Sequence, residues 1–262
     1  MFYKFVKSKY KDKINMSLEQ SLIKQGSFLF KYRGQFPIIL FLLSIPFIYF
    51  TSLSQLDESL ILIFNYLACF LTLLGFLIRF YTIGTTPKNT SGRNTKNQIA
   101  DSLNTLGIYS VVRHPLYLGN YLIWLGIATY SYNIEFAILM SLLFWLYYER
   151  IMLTEEEFLK SKFKQFFLKW SDSVPAFFPR KLTITNGHVK FSIISVLRRE
   201  YSSVLSCIVG FLFIDFFRNF FTLNTLYISP LLLKISIFFI VVSLILRTLK
   251  HYTSILIEDG RS

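Results

Sequence analysis

The sequence predicts an all-α fold: a polytopic membrane helix bundle of about six crossings that includes a central helical hairpin. Three observations carry that expectation. Hydrophobic residues make up 53% of the 262, with mean hydropathy +0.47, more than a soluble domain of this size uses. These residues are gathered into blocks of about 20, the length that spans ~30 Å of hydrocarbon. The net charge of +13, from 28 basic and 15 acidic side chains, sits mostly in the segments between the blocks, with Asp215 and Arg218 as an exception inside a span. Basic residues placed this way follow the positive-inside rule, so no nucleic-acid partner is expected. The 29 Phe and 16 Tyr suit a lipid-facing surface with interfacial belts.

Residues 1–34 form a basic cytoplasmic arm carrying Lys4, Lys7, Lys9, Lys11, Lys13, Lys24, Lys31 and Arg33, expected as an amphipathic segment on the bilayer surface. The first apolar block begins near Gln35, after this lysine-rich lead, and is too long for a signal h-region, so it reads as a first span over 36–56. Pro37 and Pro46 are tolerated there. An acidic turn, Asp57-Glu58, leads to a second span over 59–81. Residues 82–116 are polar. The apolar run 117–148, interrupted by Asn133 and Glu135, is expected as two short helices folded into a hairpin. Residues 149–201, with ten Lys and Arg, read as the largest soluble segment, followed by spans over 203–221 and 227–249. The loops near 57–58 and 222–228 hold no Lys or Arg, so an even number of crossings puts both termini and every basic segment on the cytoplasmic side.

Cys69 and Cys207 lie far apart in predicted spans, and His114, His188 and His251 show no ligand spacing. Neither a disulfide framework nor a metal is expected.

Three segments could carry chemistry. The first, Leu103 to Asn120, passes from a polar loop into an apolar helix, with Pro115 suited to the first helical turn. Arg113 and His114 then stand beside that turn's orphan N–H groups, a place that binds carboxylates and phosphates. Read alone, the same residues describe a headgroup-level anchor with Tyr117 in an aromatic belt. The second segment holds Glu149-Arg150, then Glu155-Glu156-Glu157, Leu159, Trp170 and the run Val174-Pro-Ala-Phe-Phe-Pro179. A carboxylate here could bond a ribose or an amine, with Arg150 nearby for an anion; a solvated face paired with Lys160, Lys162 and Lys164 is the plainer alternative. The third, Thr85 to Gln98, offers hydroxyls, amides, Gly92 and the cations Lys88, Arg93 and Lys96. That inventory suits a phosphate oxyanion, although the Gly-Lys-Ser/Thr order of a P-loop is missing.

Together the first two segments resemble the isoprenylcysteine carboxyl methyltransferase-like family of membrane methyltransferases, a group that includes phospholipid methyltransferases. The matching pattern is Gly107-Ile-Tyr109-Ser-Val-Val-Arg113-His114-Pro115-Leu-Tyr117-Leu-Gly119, a hairpin, Glu149-Arg150, Glu155-Glu156-x-x-Leu159 and the Val-Pro-x-Phe-x-Pro run, across about residues 67–180. The resemblance implies an S-adenosylmethionine pocket on the cytoplasmic face lined by Leu103, Tyr109, His114, Pro115, Leu116 and Tyr117. It implies that Glu155 or Glu156 bonds the cofactor's polar end and that Arg150 holds the acceptor's anionic group. The chain departs from the pattern at Phe163-Lys164, where Phe-Gly is usual, and at Phe167 and Trp170, where a Tyr is usual.

The resemblance divides the chain into the arm 1–34, a methyltransferase core 35–202 and two further transmembrane helices with a short tail over 203–262. Methyl transfer from a sulfonium is an in-line displacement, and a carboxylate or phosphate acceptor needs no strong base. The 85–98 loop points to a membrane lipid phosphate, and its Thr-Ser-Gly-Arg-Asn-Thr-Lys run resembles members that methylate the lipid A 1-phosphate. The expected catalytic arginines are Arg150, Arg113 and Arg93, and the expected location is a bacterial inner membrane. A carboxylate acceptor, an amine headgroup, a nicotinamide-dependent sterol reductase and a catalytically inactive lipid-binding protein are the other readings.

Overall fold

In the computed structural model, residues 16–51, 56–87, 90, 100–187 and 189–261 are described. They form eight α-helices: α1 (Leu18–Lys31), α2 (Phe36–Phe50), α3 (Glu58–Gly84), α4 (Pro115–Thr129), α5 (Ile134–Phe163), α6 (Gln165–Ser173), α7 (Ile193–Leu223) and α8 (Pro230–Tyr252). Among the described residues the one extended pairing is an isolated bridge between Gly107 and Thr185. The fold is the all-α membrane helix bundle that the sequence predicts.

Four helices, α3, α5, α7 and α8, are long and apolar enough to cross a bilayer. Their outward faces carry large apolar side chains such as Leu62, Phe70, Leu77, Leu231 and Phe238, each more than half exposed. Helices α2 and α4 have 15 residues each, or roughly 22 Å at 1.5 Å per residue. Together the six make the bundle.

Several boundaries differ from the expected ones. The hairpin is asymmetric: α4 is short, whereas α5 runs 30 residues and absorbs Glu149 to Phe163, the beginning of the expected soluble segment. No Gly or Pro interrupts 134–163, so nothing stops the helix until Lys164, whose φ is +48°. For the same reason α7 begins at Ile193, ten residues before the expected span.

The described part of the arm, residues 16–34, is docked on the protein. A capping box, Ser17 with Gln20, starts α1, which lies along α5. Gly26 makes the contact: a Cβ there would come within 2.0 Å of the Arg150 carbonyl oxygen and 2.1 Å of Thr154 Oγ1. Thr154 donates to the Ile23 carbonyl at 3.0 Å and the Tyr147 hydroxyl to that of Leu29 at 3.1 Å. Residues 1–15, with Lys4 to Lys13, lie outside the described residues.

Helices α3 and α4 run antiparallel with their backbones almost touching. A Cβ on Gly119 would meet Arg79 Cγ at 2.6 Å and the Gly75 carbonyl at 2.8 Å; one on Gly126 would meet the Ala68 carbonyl at 2.7 Å. Small residues bring membrane helices this close where burial from water supplies no drive between them. At one end of the bundle, Asp215 of α7 accepts hydrogen bonds from Tyr130, Arg218, Asn219 and both the N–H and hydroxyl of Ser229. This pins the α4–α5 turn to the α7–α8 turn. At the other end, the segment after α8 folds back: Arg261 donates to the carbonyls of Gly84 and Thr86 at the end of α3, at 3.1 and 3.3 Å.

Candidate functional site

The loop entering α4 and the loop after α6 are joined through their backbones. Arg113 N–H donates to the Pro175 carbonyl at 2.9 Å, and His114 N–H to that of Ala176 at 3.0 Å. Pro175 lacks an N–H and offers only its carbonyl. Trp170 Nε1 donates to the Tyr109 carbonyl at 3.1 Å, and Leu103, Tyr109, Phe167, Trp170 and Val174 pack as one small core. The two separated motifs of the sequence therefore meet in space.

Between them stands α5 with its adjacent carboxylates, which face different partners. Glu156 accepts from Arg113 at 2.9 and 3.2 Å and lies 2.9 Å from His114 Nε2. Arg113 Nη1 also donates to the Ser171 and Val174 carbonyls at 2.6 and 3.1 Å, so this side chain ties α5 to the end of α6. Glu155 accepts from the Tyr117 hydroxyl at 2.7 Å, faces His114 Nδ1 at 3.5 Å and sits 3.7 Å from Arg33 of the arm. His114 thus has a carboxylate on each ring nitrogen, and the imidazolium is the form that can donate to both. Burial pulls its pKa down, but the hydrogen bonds and charges of Glu155 and Glu156 outweigh that and hold it above 6.5.

These residues form one end of a cavity of about 440 Å³, within the range of small-molecule sites. Tyr109, Arg113, His114, Pro115, Leu116, Tyr117 and Glu155 line it. The rings of His114 and Tyr117 lie nearly parallel, 21° apart. Of the expected residues, Leu103 packs behind Tyr109 and Glu156 stands behind His114; neither reaches the lining.

Arg150 is a correction. It lies on the α1-facing side of α5, with Nε donating to Gln25 Oε1 at 3.0 Å and a guanidinium bond to the Leu146 carbonyl, and it does not line the cavity. Five residues separate it from Glu155, about 140° around a helix of 3.6 residues per turn. The two therefore face different surroundings, Arg150 toward α1 and Glu155 toward the cavity. Arg93, with Lys88 and Lys96, lies outside the described residues, as does His188.

Reading along the chain missed a second polar group, deeper in the cavity. Arg79 of α3 makes a two-pronged ion pair with Glu200 of α7, Nε to Oε2 at 2.7 Å and Nη2 to Oε1 at 2.8 Å. It also donates to Asn120 of α4 and, at 3.1 Å, to Ser203. Arg79 and Glu200 are almost fully buried. A signal existed: Arg79 is a lone cation inside an otherwise apolar span, and an ionisable residue at that depth is costly unless it has a task. Among the described residues, no three of His, Cys, Asp and Glu come together to hold a metal ion.

A family profile matches residues 4–174, spanning most of the arm, the hairpin, the first motif and the second motif as far as Val174. The chain belongs to the DUF1295 family, proteins of unknown function. Among curated proteins, it is 36% identical over 93 residues to the cobalt-zinc-cadmium resistance protein CzcN of Cupriavidus metallidurans, covering 36% of this chain and 42% of that one. It is 36% identical over 78 residues to the nickel-cobalt-cadmium resistance protein NccN of Alcaligenes xylosoxydans, covering 30% and 36%. It is 30% identical over 112 residues to the protein-S-isoprenylcysteine O-methyltransferase of Schizosaccharomyces pombe, covering 40% and 48%. The match thus spans less than half the length of each of these relatives. No solved structure matches the chain. The family and the yeast relative together support a place for this DUF1295 protein among the isoprenylcysteine methyltransferase-like membrane proteins. Helices α7 and α8 lie beyond the residues that the family profile matches.

Proposed function

We propose that the cavity binds S-adenosylmethionine at its His114–Glu155 end and that the protein methylates an oxygen of a membrane lipid, a phosphate such as the lipid A 1-phosphate. The observation that carries the reading is Glu155: a carboxylate oriented by Tyr117 and projecting into a cavity beside a pair of near-parallel rings.

The residues suit that cofactor. Glu155 offers acceptor lone pairs for ribose hydroxyls or an amino group. The Tyr117 ring, with Pro115, Leu116 and Leu159, makes an apolar wall for a purine, and the His114 imidazole lies nearly parallel to it. Arg33 and Arg113 supply charge for a carboxylate. When bound, the cofactor supplies an electrophilic methyl group on a sulfonium sulfur. The chain's own task is positioning. Glu156 holds Arg113 and His114, and the backbone pairing to Pro175 and Ala176 fixes the start of α4. A phosphate oxygen is already nucleophilic at neutral pH, so no general base is needed.

The yeast relative, a protein-S-isoprenylcysteine O-methyltransferase, supports the reaction class. The phosphate rests on the composition of the 85–98 loop, most of which lies outside the described residues. The distribution of charge supports a cytoplasmic site in a bacterial inner membrane: Lys160 and Lys162 near the end of α5, Lys169 on α6, Arg198 near the start of α7 and Lys250 near the end of α8 lie toward the same end of the bundle as His114.

The test supplies purified protein with methyl-labelled cofactor and lipids bearing a phosphate, a carboxylate or an amine. Label is expected on the phosphate lipid. Label only on a carboxylate or amine lipid overturns the acceptor, and calorimetry showing no affinity for S-adenosylhomocysteine overturns the enzyme.

A further inference from the structure

We infer that α7 completes a second subsite in the same cavity, where Arg199, Arg79 and Ser203 hold the oxyanionic head of an amphiphile whose apolar tail lies between α2, α4 and α7. The inference rests on the methyltransferase reading only in calling that amphiphile the acceptor.

Position comes first. Along α4 the cavity passes from His114 and Tyr117 to Asn120, then to Ile123, Trp124 and Ile127. Asn120 bonds Arg79, so the arginine group sits about one turn beyond the Tyr117–Glu155 pair. On α7 the lining residues are Arg199, Ser203, Ser206 and Cys207, a spacing that puts them on one helix face. Beyond the serines, the walls are the apolar side chains Phe41, Ile123, Trp124 and Ile127. Polarity therefore changes from a cationic mouth to an apolar depth, the profile of an anionic amphiphile.

Charge comes second. Four arginines line the cavity: Arg33, Arg79, Arg113 and Arg199. Glu155 lies beside Arg33, Glu156 beside Arg113, and Glu200 has both oxygens on Arg79. Arg199 has Glu200, Arg79 and Tyr109 as its electrostatic neighbours and is 4% exposed. Arg79, Glu200 and Arg199 thus bring two guanidinium groups and one carboxylate to the wall of one buried cavity. An oxyanion beside the two guanidinium groups, completed by the Ser203 hydroxyl, would meet charge-assisted donors from α3 and α7. Phosphate and carboxylate heads share this chemistry.

The experiment uses the full chain in a neutral maltoside detergent and four ten-carbon probes: decyl phosphate, decanoate, decanol and decyltrimethylammonium. Affinity is measured by calorimetry and the thermal midpoint is followed, with S-adenosylhomocysteine titrated separately. Decyl phosphate or decanoate is expected to bind and raise the midpoint, decanol and the cation to do neither, and the tighter anion identifies the head. Arg199→Gln is expected to weaken the anion roughly tenfold to a hundredfold, a lost charge-assisted hydrogen bond, without weakening S-adenosylhomocysteine. Arg199→Lys is expected to restore part of the loss.

Equal stabilisation by decanol overturns the subsite. So does an equal loss of S-adenosylhomocysteine affinity in Arg199→Gln, because the arginine then serves the donor. If Arg199→Gln does not fold, Ser203→Ala decides, and unchanged affinity for both anions overturns the inference. Binding of S-adenosylhomocysteine without either anion removes the subsite and leaves the methyltransferase reading standing; binding of an anion without S-adenosylhomocysteine does the reverse.

Discussion

The Tyr117 hydroxyl donates to Glu155 at 2.7 Å across 38 residues of sequence, joining the first turn of α4 to the middle of α5. Glu156, one residue on, turns to Arg113 and His114 instead. Neighbours on a helix point about 100° apart, so adjacent carboxylates have separate tasks. Glu155→Gln is expected to weaken S-adenosylhomocysteine binding roughly tenfold to a hundredfold while the fold persists. Glu156→Gln is expected to cost about 1–3 kcal/mol of stability, because it strips a charged acceptor from a partly buried arginine. Calorimetry and thermal unfolding of the two variants separate the roles, and the opposite pattern sinks the assignment.

The second prediction concerns pH. The folded pKa of His114 is raised above 6.5. A raised histidine contributes stability that is fully present below the unfolded pKa and is lost as pH rises through the folded value. The midpoint difference between the wild-type chain and His114→Asn is therefore expected to be largest below about pH 6.5 and to shrink above the folded pKa. Thermal scans across this range check it directly. A difference that grows with pH means that the ring is held neutral.

Packing supplies the third. A Cβ at position 119 collides with the Gly75 carbonyl and with the stem of Arg79. Gly119→Ala is expected to part α3 from α4, at about 1–3 kcal/mol for overpacking, and to disturb the Arg79–Glu200 pair. Lower thermal stability together with weaker binding in the cavity is the expected signature. A variant as stable as the wild type shows that the seam is looser than described.

The fourth lies at the opposite end of the bundle. Asp215 is wholly buried and holds Tyr130, Arg218, Asn219 and Ser229. Asp215→Ala leaves Arg218 buried beside a broken network and is expected to cost roughly 3–5 kcal/mol. Once folded, the variant is expected to bind S-adenosylhomocysteine normally, because this cluster is a helix length away from Glu155. Proportional loss of affinity in the folded fraction counts against that separation.

The sequence by itself determined the helix bundle and part of the lining of its cavity. Apolar blocks of bilayer length need no partner to be recognised, since the backbone of each span bonds internally and the block length is set by the membrane. The entry to α4 was also legible, because Arg113-His114-Pro115 before an apolar run is a local pattern. Tertiary structure decided what depends on rotation about a helix and on pairing across the chain. It separated Glu155 from Glu156, turned Arg150 toward α1, and brought Arg79 to Glu200 over 121 residues. No spacing along the sequence encodes that last contact: it exists because Gly75, Gly119 and Gly126 let α3 lie against α4, and because α7 packs across both. A buried charge is placed by the groups that can balance it, and in this protein those groups arrive from different helices.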